Sequence, residues 1–144
     1  MSNATNAAPA PMSAKVQWLD GNKFVATSGS GHAVVFDGDK AVGASPMEMV
    51  LMAAGSCSSV DVVSILQKTK QQFVRCEVAV EGKRANAVPA VFSDIHLHFT
   101  VYGNDIEEKH VERAVKLSAD KYCSVSIMLG ASVNITHSFS VLAG

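Results

Sequence analysis

Chemistry in this chain falls first to sulfur. Cys57 closes the stretch SPMEMVLMAAGSC, Cys123 sits in KYCSVS, and Cys76 is the third and last cysteine. A thiolate can attack the terminal oxygen of a peroxide, and a second thiol can condense with the resulting sulfenic acid to give a disulfide. An external dithiol then restores both sulfurs by exchange. No metal, flavin or haem is needed. Three cysteines are too few and too oddly numbered for a secreted disulfide framework, and no two have the CxxC spacing of a metal site. In a reducing compartment such thiols act transiently or pack as small hydrophobes.

Composition narrows the classes. At 144 residues the chain is one domain with room for its own core. Hydrophobic residues at 48% against 17% charged mark it as globular, and a net charge of −1 argues against nucleic acid as partner. The opening MSNATNAAPAPMSAK has no cationic start followed by an apolar run, so residues 1–14 read as a disordered tail and 15–144 as the domain. The uncharged apolar run from Met49 to Val60 is shorter than the roughly 20 residues a membrane span needs. The expected location is the cytoplasm, with no membrane partner.

The elements that must carry these thiols alternate clearly. KVQWL, KFVAT and HAVVF are separated by DGN and SGSG, turn chemistry that predicts three antiparallel strands. Ser45 before Pro46 is an N-cap with proline at the first helical position, and the helix should run to about Lys70. Strands are expected near Arg75–Lys83 and Val91–Tyr102. Asn104 or Asp105 then caps a helix over about Glu107–Tyr122. A short helix Cys123–Leu129 should end at a left-handed Gly130, and a last strand alternates through Val133, Ile135, His137, Phe139 and Val141. The order is βββ-α-ββ-αα-β, an α+β domain with a long buried central helix against antiparallel sheets. One sheet covers only one side of so apolar a helix, which predicts a homodimer in which a second copy covers the other.

SPMEMVLMAAGSC with its cysteine eleven positions after the proline, KYCSVS at a later helix junction, and this element order together resemble the OsmC/Ohr family, in its YhfA-like branch. The similarity runs from about Lys15 to Leu142. It implies an intertwined homodimer and a thiol peroxidase that reduces organic hydroperoxides, without a cofactor or metal and with a dithiol as reductant. By position Cys57 would be the peroxidatic residue and Cys123 the one that resolves it as an intramolecular disulfide. The apolar neighbours Met49, Met52 and Val60 would suit an alkyl hydroperoxide. The alternative is a redox-sensing or small apolar ligand-binding protein of the same fold.

The family's glutamate and arginine hold the first cysteine as thiolate, and this chain departs from both. Met47 follows the proline and Glu48 comes one later; no arginine precedes Arg75, which leaves Lys23 in DGNK as the nearest cation by position. One residue is about 100° around a helix, which turns Glu48 roughly opposite Cys57. Glu48 remains the candidate acid of the site, with a first-turn dipole role as its simpler reading. Asp61, one turn after Cys57, opposes a second anion there. Lys121 and a helix start favour the Cys123 thiolate, so local physics prefers Cys123 while the resemblance assigns first attack to Cys57. Ser58 and Ser124 stand beside the cysteines as possible donors to sulfur. His137, on the apolar phase of its strand, is a candidate for the pocket wall; His96 and His98 read as a solvated strand face, and Cys76 as structural.

Overall fold

The computed structural model describes residues 8–144 and divides into an N-terminal unit ending at Glu48 and a C-terminal unit from Met49. Residues 1–7 of the expected tail lie outside the described residues, and the first strand already includes Ala14.

The N-terminal unit is a three-stranded antiparallel sheet of β1 (Ala14–Asp20), β2 (Lys23–Ser28) and β3 (Ala33–Asp37), in that order. The first turn needs a left-handed residue, which Gly21 supplies at φ 51°, and the Trp18 indole donates to its carbonyl at 3.0 Å. At the end of β3 the Asp37 carboxylate accepts from the N–H groups of Asp39, Ala41 and Val42, each at 2.9 Å, and so closes the loop to the long helix. Val16, Trp18, Val34 and Val35 lie exposed on this sheet.

Helix α1 (Pro46–Lys68) starts as expected. Ser45 Oγ accepts from the Glu48 N–H at 3.2 Å, and Glu48 Oε1 accepts from the Ser45 N–H at 2.9 Å, a reciprocal capping box. Its 23 residues are long and apolar enough to cross a membrane by length and composition, so the twelve-residue run understates it. Of these only Ala54, Gly55, Ser58, Val62 and Leu66 are buried, so the long central helix is covered on a single side by its own chain. Gly55 is required there: a Cβ on it would come within 2.9 Å of Val80 Cγ2 and 3.2 Å of Val78 Cγ1.

The rest of the C-terminal unit holds β4 (Arg75–Arg84), β5 (Phe92–Tyr102), α2 (Glu108–Leu117), a π turn (Ser118–Tyr122), α3 (Ser124–Leu129) and β6 (Asn134–Leu142). The element order matches the expected one. The expectation of wholly antiparallel sheets is corrected here, because β4 pairs antiparallel with β5 but β6 joins β5 in parallel. The connection through α2 and α3 is long enough to carry the chain back to the starting edge, as a parallel pair requires. Ile95, Leu97, Phe99 and Val101 alternate onto the buried face and meet the core with Val111 and Ala114 of α2 and Val62 and Leu66 of α1.

Three local expectations also change. The N-cap of α2 is Glu107, not Asn104 or Asp105; its N–H is satisfied by Gln71 Oε1 at 3.0 Å, while Asp105 takes a left-handed turn at φ 61°. The helix stops being regular at Leu117, where the backbone widens into the π turn that delivers Cys123. Gly130 has φ −61°, so α3 ends without a left-handed residue.

Candidate active site

Cys57 lies in the middle of α1 and is half-buried. Cys123 is the N-cap of α3, with extended backbone at φ −75° and ψ 102°, and is fully buried. Extended geometry at this position is what allows an N-cap side chain to turn back on the first helical turn. Its sulfur accepts from the Ser126 N–H at 3.4 Å and from the Ser58 hydroxyl at 3.2 Å. Ser58 Oγ and Ser126 Oγ lie 3.3 Å apart. The Cys57 sulfur faces the N–H groups of Val125 and Ser124 and the Cys123 thiol beside it. The start of α3 thus directs backbone donors at both sulfurs.

These contacts divide the charge unequally. The Val125 N–H favours a Cys57 thiolate, but burial and the adjacent Cys123 outweigh it and push the Cys57 thiol up. At Cys123 burial opposes ionisation, yet hydrogen bonds from the Ser126 and Ser58 side chains, the Ser126 N–H and Cys57 together hold the thiol below its ordinary range. Exposure points the other way, since only Cys57 is open to a reactant.

Asp61, whose charge needed a partner on so apolar a helix, receives the Ser118 hydroxyl at 3.1 Å. Ser118 is fully buried and also lies 3.3 Å from the Ser58 carbonyl, so the π turn is tied to α1 just before Cys123. The structure therefore brings together Cys57, Cys123, Ser58, Asp61 and the backbone of Ser124. Glu48 is engaged by its capping box, whose Ser45 N–H holds its carboxyl below the usual range. Lys23 is paired with Asp20 at 3.4 Å in the first hairpin. Cys76 lies on β4 opposite Val101, where burial pushes its thiol up.

His137 occupies the buried face of β6, stacked on Phe99 with ring centroids 6.5 Å apart. Its Nε2 is buried without a hydrogen-bond partner, and burial pushes its pKa down. It shares a cleft of about 490 Å³ with Ser126 and Asp120. Sequence reasoning missed Ser118 and Ser126. The spacing Cys123 to Ser126, an N-cap acceptor followed three residues later by its donor, was the available signal for the second.

On the opposite face His96 and His98 make a continuous ladder with β6. His96 Nδ1 meets Thr136 Oγ1 at 2.6 Å and its Nε2 meets Ser138 Oγ at 2.7 Å. His98 Nδ1 meets the same Ser138 Oγ at 2.6 Å and its Nε2 meets Ser140 Oγ at 3.0 Å. The expected solvated strand face is half-buried and fully hydrogen-bonded on this edge.

Two cysteines set between a long helix and a short helix start, on this α+β order, define a fold family. Residues 37–138 match the family described as OsmC-like protein, and the chain belongs to that family. Within it the chain stands with the YhfA branch: it is 54% identical over 135 residues to Protein YhfA of Escherichia coli strain K12, covering 92% of this chain and 99% of the relative. A crystal structure of a hypothetical protein from Aquifex aeolicus VF5 is similar at 32% identity and TM-score 0.86, over 94% of this chain and 99% of that one. An organic hydroperoxide resistance protein OsmC from Legionella pneumophila shares the fold at 14% identity and TM-score 0.69, over 93% and 99% of the two chains.

Proposed function

We propose that the chain is a two-cysteine peroxidase that reduces organic hydroperoxides in the cytoplasm, with Cys57 attacking and Cys123 resolving. The observation that carries this reading is the placement of both sulfurs side by side at the start of α3, under the N–H groups of Ser124, Val125 and Ser126. The name of the Legionella fold relative, an organic hydroperoxide resistance protein, supports it.

In this reading Cys57 gives up its proton against the effect of burial, with the Val125 N–H favouring the charged form, and leaves a thiolate on the half-buried sulfur. The fully buried Cys123 is out of a bulky peroxide's reach, so access selects Cys57 even though the Cys123 thiol is the one held lower. The Cys57 sulfur attacks the terminal oxygen, the O–O bond breaks, and the alkoxide takes a proton to leave as an alcohol. Sulfur has been oxidised to sulfenic acid. Cys123 then attacks that sulfur, hydroxide leaves as water with the Cys123 proton, and a disulfide forms. An external dithiol returns two electrons by exchange. The donors around the pair stand in for the family's arginine, while Glu48 closes the cap of α1.

A homodimer belongs to the same reading. The exposed positions Met52, Ser56, Val60 and Gln67, with the half-buried Val63, cluster on one flank of α1 at about 100° per residue, away from the buried flank. A second copy covers them. The absence of an arginine before Arg75 favours a second reading, a redox sensor or apolar ligand-binding protein without fast turnover. Cys57→Ser decides between them: loss of dithiol-dependent cumene hydroperoxide consumption in a folded dimer supports the peroxidase. Wild-type turnover no faster than a free thiol supports the sensor.

A further inference from the structure

Beyond the thiols, the second half of α1 and α2 border a half-open pocket of about 320 Å³. Asp61, Ser64, Ile65, Lys68 and Thr69 line it from α1, Arg113 and Leu117 from α2, and Tyr122 from the π turn. Its charges are distributed in an instructive way. Asp61 already accepts from Ser118. Among the described residues neither Lys68 nor Arg113 makes an ion pair, as is true of most lysines and arginines in this chain, but these two share one pocket. Lys68 from α1 and Arg113 from α2 thus line the same pocket as Asp61, whose carboxylate is engaged by Ser118 at the other end. Ile65 and Leu117 supply an apolar middle.

We propose that this pocket binds a carboxylate-bearing organic molecule, its carboxylate between Lys68 and Arg113 and its apolar body along Ile65 and Leu117 toward Asp61. The polarity is set by the residues. Asp61 repels an anion at its own end, and Lys68 lies seven residues further along the helix, about 10 Å away at 1.5 Å per residue. Arg113 provides a planar fork that fits a carboxylate in two-point contact, and Lys68 adds a point charge. The far end of the ligand then lies one helical turn, about 6 Å, from Cys57. The site lies on a different side of α1 from the flank that bears Met52 and Val60. This inference does not depend on the peroxidase reading, because binding is measured without turnover.

The test is isothermal titration calorimetry with decanoate and with decanol on the full reduced chain. Decanoate is expected to bind at least tenfold more tightly than decanol. Lys68→Ala and Arg113→Ala, both at exposed side chains, should each weaken decanoate at least tenfold with unchanged thermal melting, while Lys109→Ala binds like the wild type. Equal binding of decanoate and decanol, no binding of decanoate, or decanoate binding unchanged in both variants overturns the proposal. Failure of hydroperoxide turnover with decanoate binding intact would count against the peroxidase reading alone.

Discussion

The Ser58 hydroxyl and the Cys123 sulfur lie 3.2 Å apart, and both side chains are fully buried. Ser58 follows Cys57 directly in α1, so one helix supplies the half-buried thiol and, from the next position, the donor that stabilises charge on Cys123. Ser58→Ala removes that donor and leaves Ser126 Oγ short of a partner. The expected outcome is a Cys123 thiolate that forms at higher pH, read from thiolate absorbance in a Cys57→Ser background. Stability should fall by about 1 kcal/mol in urea unfolding. An unchanged titration would remove Ser58 from the site.

The close crossing of α1 over β4 leads to a second expectation. Gly55→Ala would gain up to about 1 kcal/mol of helix propensity. Against this, its Cβ would meet Val80 at 2.9 Å in a packed core, and overpacking of this kind costs about 1–3 kcal/mol. The net effect should be destabilising, with a lower urea midpoint at unchanged slope.

Acid should act on the N-terminal unit through Asp37. The N–H of Val42, then those of Asp39 and Ala41, hold its carboxyl below the usual carboxylate range. A depressed folded pKa means the stabilisation is present above the unfolded value of about 4 and is lost as pH falls through the folded one. Asp37→Asn should therefore destabilise at neutral pH and make little difference in strong acid. Parallel melting curves of the two proteins across pH check this, and a constant gap between them would contradict it.

The histidine ladder constrains tautomers. Ser138 has one proton to donate and meets His96 Nε2 and His98 Nδ1 together. When both rings are neutral and the Ser138 proton stays within the ladder, one ring donates to Ser138 and the other accepts from it, so both carry their proton on Nε2 or both on Nδ1. Nitrogen-15 shifts of the two imidazoles should report the same tautomer. In Ser138→Ala the two become independent.

Much of this was legible because it is local. Ser45, Pro46 and Glu48 announce the start of α1 within four residues, and turn glycines delimit β1 to β3. The resemblance in SPMEMVLMAAGSC and KYCSVS identified the two thiols. What could not be read depends on pairing between distant segments. The parallel register of β6 places Ser138 between His96 and His98, and no pattern within either strand contains that register. Ser118 reaching Asp61 likewise needs the π turn, a backbone widening without a sequence signature here. The cap of α2 failed for the same reason, since Gln71 comes from another element.

The peroxidase account stands or falls on the fate of Cys57 and Cys123 when the reduced protein meets hydroperoxide. Mixing with stoichiometric cumene hydroperoxide in a stopped-flow, followed by peptide mass spectrometry, should give rapid one-to-one formation of a Cys57 to Cys123 disulfide with Cys76 reduced. Slow oxidation spread over all three cysteines, at the rate of an ordinary thiol, would contradict the account.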